Sequence, residues 1–271
     1  MWAGRGTMAL VELTGCRALV TGASRGIGAA VARRLAERGA NVALVARDVE
    51  ALGKVAASCG GTVYAADLAR ADSIRALVAR VEADAPIDVL VNNAGVDLAG
   101  DFLTLDAAAI DELFACNVVA PVLLARAIVP GMVARARGHV VNVSSLSAVS
   151  AVPGLAPYSA SKAALSHFTA ALRAECKGAP VGTTLVELGP VRTDMVAHVR
   201  SHRPTDRAFR RFERLGVLPS LDPTTCADAI VRAVEGNRRH VRLPRRAALF
   251  PMLAEAPRRL TELFLAGVRP R

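Results

Sequence analysis

The sequence predicts a doubly wound α/β fold, a parallel sheet covered by helices on both faces. Three observations carry that prediction. Short apolar runs alternate with amphipathic segments of helical length along most of the chain. The runs are apolar throughout rather than at every second residue, as strands buried on both faces are. A glycine-rich turn, Thr21-Gly22-Ala23-Ser24-Arg25-Gly26-Ile27-Gly28, stands between the first run and the first helix. Right-handed crossovers between such units wind the sheet in both directions.

Taken in order, residues 17–21 (RALVT) read as the first strand. A helix follows over 27–38, and Gly39 ends it. Residues 41–46 (NVALVA) form the second strand and 49–58 the second helix. A third strand covers 62–66, with a helix running on to Arg80, and 87–91 (IDVLV) is the fourth strand. A long helical stretch over 108–134 is expected to bend near Pro121 or Pro130, because proline removes a helical donor. The fifth strand is 139–143, followed by an alanine-rich helix over 158–177 and a sixth strand over 181–188. A helix over 224–235 and a short strand over 240–243 close the pattern.

The 271 residues, with 52% in the hydrophobic set and 21% charged, hold ample material for a core. That excludes general disorder. No uninterrupted run of about 18 apolar residues suggests a membrane span, and no secretory signal is expected at the N-terminus. One domain is expected over 13–243, with an extension over 1–12 and a basic amphipathic helical segment over 244–271. The cysteines 16, 59, 116, 176 and 226 are odd in number and form no CxxC pair. Reduced thiols and a cytoplasmic location follow. The five histidines show no ligand spacing, and no metal site is expected.

The formal net charge is +10, and it is uneven. Residues 198–271 hold 16 Arg and no Lys against 7 acidic residues. An anionic membrane surface or an acidic ligand fits that asymmetry, as does an ordinary solvated face. Nucleic acid is not expected, since no reader motif or stacking platform accompanies the charge. The segment over 194–220 follows the sixth strand at the carboxyl end of the sheet, where ligands bind. It reads either as a lid or as a surface helix, and offers Met195, Phe209, Phe212 and Leu215.

The chemistry lies in four motifs. The glycine turn lets the backbone approach a diphosphate at a helix N-terminus. At the end of the second strand, Arg47 together with Arg25 suits a 2′-phosphate, because guanidinium donates two parallel bonds. Asp48 argues the other way, toward a 2′-hydroxyl. Tyr158 and Lys162 stand at i and i+4 on one helix face, and a cation beside a phenol lowers its pKa. Asn142-Val143-Ser144-Ser145 ends the fifth strand and points hydroxyls into the ligand crevice.

In combination, these residues resemble the short-chain dehydrogenase/reductase family over about 13–243. The resemblance also takes in Asp67, Asn92-Asn93-Ala94-Gly95, Asn117 and Gly189-Pro190 followed by Thr193. It implies a Rossmann-type sheet and, through Arg25 and Arg47, an NADP(H)-dependent oxidoreductase. Gly22, Ser24, Gly26, Ile27 and Gly28 would cradle the diphosphate. Asp67 would bond the adenine amino group with Leu68 beside it. Asn93, Ala94 and Gly95 would line the ribose, and Val191 and Thr193 would meet the nicotinamide carboxamide and phosphate. Tyr158 would be the acid/base, and Ser145, thirteen residues earlier, would hold the substrate oxygen. Lys162 would bind the nicotinamide ribose and lower the Tyr158 pKa, and Asn117 would anchor a water leading to solvent. The implied reaction is reversible hydride transfer to a fairly apolar carbonyl compound: steroid-, retinoid-, acyl- or small-ketone-like. A homodimer or homotetramer is implied, paired through 108–134 and 158–177. The rivals are a non-catalytic NADP sensor and a member that binds a membrane or partner through 244–271.

Overall fold

The computed structural model describes residues 11–246. Seven parallel strands form one sheet in the order β3-β2-β1-β4-β5-β6-β7. They are β1 (Arg17–Thr21), β2 (Asn41–Ala46), β3 (Thr62–Ala65), β4 (Val89–Asn92), β5 (Gly138–Ser145), β6 (Val181–Leu188) and β7 (His240–Leu243). The central strands are apolar because both faces are covered, and β6 is buried at all eight positions. The strand order reverses between β1 and β4. Val20 stands beside Leu44 on one side and Val91 on the other, so the crevice opens beyond Thr21 and Asn92.

Helices α1 (Gly26–Glu37), α2 (Val49–Cys59) and the later α9 (Pro223–Glu235) cover one face. On the other lie α3 (Ala71–Asp84), α4 (Ala107–Phe114), α5 (Ala120–Ala134) and α6 (Ala156–Glu175). Acidic side chains set helix starts, among them Asp106, which accepts from Ala108 N–H before α4. Asp48 accepts from Ala51 N–H before α2, and Asp222 accepts from Thr224 and Thr225 before α9. The α4–α5 stretch over 107–134 is long and apolar enough to cross a bilayer by length and composition. Here it packs on the sheet through Leu124, Ile128 and Met132.

The segment after β6 folds as two helices, α7 (Asp194–Ser201) and α8 (Arg203–Arg214). They enclose a third apolar cluster of Val152, Leu155, Val199, Ala208 and Phe212, separate from the two sheet-facing cores. Val11, expected in the extension, belongs to the body: its N–H donates to Glu235 O and it packs against the core. Residues 1–10 and most of the expected C-terminal segment, 247–271, lie outside the described residues.

Candidate active site

The glycine turn is shaped by what surrounds it. A Cβ on Gly28 would stand 2.2 Å from Gly22 O and 2.5 Å from Asn93 Nδ2, so no side chain fits. Asn93 Nδ2 donates to Thr21 O at 3.0 Å, while Thr21 Oγ1 accepts from Asn93 and Ala94 N–H, each at 3.0 Å. These bonds lock the ends of β1 and β4 together. No side chain caps the N-terminus of α1. Its first amides therefore face the crevice with the positive end of the helix dipole, a site for phosphate. The Thr193 methyl lies 3.1 Å from where a Gly26 Cβ would stand, which places Thr193 across the turn. Val191 is buried beside it and bridges to Leu221.

Arg25 and Arg47 are both exposed and each meets a carboxylate, Asp194 at 3.5 Å and Glu112 at 3.3 Å. Asp48 accepts from Ala51 N–H at 2.9 Å as the α2 cap. Asp67 follows β3 and accepts from Ala69 N–H, and Leu68 is buried beside it.

Tyr158 and Lys162 share a face of α6, with Lys162 Nζ 5.7 Å from the Tyr158 ring centroid. The ammonium is buried and donates to Val143 O at 3.1 Å. Gly95 makes room for it: a Cβ there would stand 3.3 Å from Nζ. Ser145 and Tyr158 line the same cavity, and Ser145 Oγ donates to Leu188 O at 3.4 Å and accepts from Ser147 N–H at 3.1 Å. Ser144 donates to Lys162 O and meets Ser166, so it ties β5 to α6 and faces no ligand space. Asn142 does likewise, bonding Asn92 and Thr169.

The expected lowering of the phenol pKa does not come from the protein's own groups. Burial pushes Tyr158 up to about 12, the Ser145 hydroxyl pulls it down, and the Asp97 carboxylate pushes it up. Burial also pushes Lys162 down to about 8. Desolvation of the phenolate outweighs a cation at this distance.

Asn117 is fully buried in a π turn (Ala115–Val119) that joins α4 to α5. Its side chain accepts from Val96 N–H at 2.9 Å and donates to Val96 O and Ser161 Oγ. The break falls just ahead of Pro121, one of the two expected prolines. Pro130 lies inside α5 without ending it.

The cavity beside Tyr158 and Ser145 is walled by Val152, Leu155, Met195, Val199, Phe209 and Leu218. Of the expected lid residues, Met195 and Phe209 line it, Phe212 is buried in the cluster behind, and Leu215 faces solvent. One pair was not legible in the sequence. Asp97, two residues past Gly95, meets His198 Nδ1 of α7 at 2.6 Å. No spacing could have signalled it, since only the fold of α7 brings these residues together.

A dinucleotide crevice beside a serine–tyrosine–lysine cluster defines a class of oxidoreductases, and the chain belongs to the short-chain dehydrogenase family. The family's model, described as short chain dehydrogenase, matches residues 17–204. The chain is 34% identical over 239 residues to Ketoacyl reductase HetN of Nostoc sp., covering 86% of this chain and 79% of that protein. It is similar to a metagenomic short-chain oxidoreductase solved in complex with NADP, with a TM-score of 0.69 and 36% identity over 85% of this chain and 98% of that one. A short-chain dehydrogenase from Sphingobium yanoikuyae in complex with NADPH gives 0.74 and 28% identity, over 94% and 96%.

Proposed function

We propose that the protein is an NADP(H)-dependent oxidoreductase that interconverts a fairly apolar carbonyl compound and its secondary alcohol. The observation that carries this reading is Ser145 and Tyr158 together at the wall of an apolar cavity, with Lys162 one turn along α6. The residues present fit the cofactor, because the turn at Gly22 and Gly28 admits no Cβ and the α1 amides have no protein cap. Gly22, Ser24, Gly26, Ile27 and Gly28 would hold the diphosphate, and Arg25 and Arg47 the 2′-phosphate. Asp67 and Leu68 would hold the adenine. Asn93, Ala94, Gly95 and Lys162 would hold the riboses, and Val191 and Thr193 the carboxamide end. When bound, the cofactor supplies or accepts the hydride.

The remaining chemistry belongs to the chain. Ser145 and Tyr158 direct hydroxyls at the substrate oxygen and stabilise the charge that develops there. Tyr158 gives its proton in reduction and takes one in oxidation. A phenol held near 12 is protonated at neutral pH, which is the form reduction uses. Lys162 and the Asn117 carbonyl would pass protons toward solvent through water. The apolar wall favours an acyl- or ketone-like substrate, and the likeness to a protein named ketoacyl reductase supports the acyl choice. A homo-oligomer paired through α4–α5 and α6 belongs to this reading, supported by the exposed Val119 on that face. A cytoplasmic location belongs to it too, supported by five free thiols.

The test is NADPH oxidation by the purified protein against ketones of graded chain length, with NADH in parallel and Tyr158→Phe as the blank. Turnover with NADPH that vanishes in the variant is the expected result. NADPH binding without turnover across the whole panel points instead to a sensor.

A further inference from the structure

Helix α8 has two unlike faces. Pro204, Thr205, Ala208 and Phe212 are buried against the lid cluster, and Phe209 lines the cavity. At about 100° per residue, Arg203, Arg207, Arg210, Arg211 and Arg214 fall within about 100° of arc on the opposite side. All five are exposed. Within the stripe, Arg210 is paired with Asp206 of the same helix. Asp206 takes Arg200 and Arg210, and Glu213 takes Arg200. Among the described residues no carboxylate pairs with Arg203, Arg207 or Arg214.

Large apolar side chains are exposed near both ends of α8. Leu215, directly after α8, is 53% exposed. At the other end, Gly100 N–H donates to Gly154 O, and Gly154 packs against His202 and Thr205 at the head of α8. Ala99 joins the same cluster as Phe212. The loop that follows presents Phe102 and Leu103, 61% and 73% exposed. Cationic groups along α8 and exposed apolar groups near its two ends thus flank a helix whose Phe209 lines the apolar cavity. Arg246 donates to Gly216 O just past α8.

We propose that the outer face of α8, with Phe102, Leu103 and Leu215, is a docking surface for an anionic lipid bilayer, from which an apolar substrate enters the cavity. Guanidinium suits lipid phosphate because it donates two parallel bonds. Exposed apolar side chains gain by entering the acyl boundary, as those of an interfacial amphipathic helix do. A soluble acidic protein would use the arginines but leave the exposed apolar side chains unused, so lipid is the better fit. The inference rests on the proposed apolar carbonyl substrate.

Flotation of the full chain with vesicles of phosphatidylcholine alone, or with 30% phosphatidylglycerol (a fraction set on the order of the charge that polybasic surfaces need), tests it. The wild type is expected to float with the anionic vesicles only, and to be released by salt. Arg203→Gln/Arg207→Gln/Arg214→Gln is expected to weaken binding about 100-fold. Phe102→Ser/Leu103→Ser is expected to weaken it at least about tenfold. Turnover of a water-soluble ketone should be unchanged in both variants, which separates failure of this inference from failure of the proposed reaction. No flotation of the wild type overturns the docking surface. So does equal flotation of the arginine variant, which moves any lipid binding elsewhere in the chain. Capture of soluble polyglutamate by the wild type without vesicle binding overturns it in favour of an acidic protein partner.

Discussion

Pro121 stands four residues after Asn117, so the Asn117 carbonyl meets no amide in α-helical register. The helix widens there, and Ala120 N–H reaches five residues back to Ala115 O. The Asn117 side chain is already engaged by Val96 and Ser161. On the proposed mechanism, the carbonyl is the group that would hold the water serving Lys162. Pro121→Ala restores the missing donor. We expect a Tm equal to or above wild type and a kcat lower by about tenfold, within the range for proton transfer by a positioned group. A Tm that falls along with kcat would show that the proline serves stability instead.

Tyr158→Phe removes the proton donor while keeping the ring. A loss of about 10²–10⁴-fold in kcat is expected. Fluorescence titration should return an NADPH Kd close to wild type, since the phenol is on the substrate side. Turnover within a few-fold of wild type would sink the assignment.

Asp97 raises the Tyr158 pKa through its charge. Asp97→Asn should therefore lower it, and the sign carries into the rate. Reduction needs the protonated phenol, so its rate falls as pH rises through that pKa. In the variant the fall should begin at lower pH. The profile of kcat for ketone reduction reads this directly, and a fall displaced upward contradicts the geometry. His198→Ala keeps the carboxylate but unties α7, and is expected to raise KM more than it lowers kcat.

Cofactor choice rests on Arg47 and Arg25. Arg47→Ala should raise the KM for NADPH by about tenfold or more, the worth of a charge-assisted phosphate bond. The KM for NADH should barely move. Asp48→Ala should cost about 1 kcal/mol through the lost α2 cap and leave the NADPH/NADH ratio alone. Equal effects of Arg47→Ala on both cofactors would remove the 2′-phosphate role.

His139 is fully buried on β5, with Nε2 2.8 Å from Thr184 Oγ1. Burial, with Arg173 nearby, pushes it down to about 4 from an ordinary 6.5. The fold refuses a proton that the unfolded chain accepts below 6.5. Stability is therefore lost as pH falls from above 6.5 toward 4, by about 3 kcal/mol when that window is crossed. Urea unfolding at pH 7.5 and 4.5 should show a steeper loss in wild type than in His139→Gln. Identical slopes would assign the acid sensitivity to other groups.

Much of this architecture was legible because buried parallel strands announce themselves by composition. β1, β2, β6 and β7 fall at the bounds the apolar runs indicate. Composition fails where a strand carries function. Ser144 and Ser145 extend β5, paired with Glu187 and Leu188, although their hydroxyls ended the apolar run. The glycine turn, Tyr158 and Lys162 were legible because their spacing is local. The Asp97–His198 pair was not, since 101 residues separate its members. The phenol's raised pKa was also missed, because burial is a property of the packed site and not of helical spacing.

The lid's apolar cluster shares no fully buried residue with either sheet-facing core. It rests on Val152 and Leu155 on one side and on Val199, Ala208 and Phe212 on the other, with Tyr158 packed against it. Such a unit can be exchanged as a cassette. Grafting residues 199–218 between relatives would recut the substrate space while keeping Asp194 beside Arg25 and His198 beside Asp97.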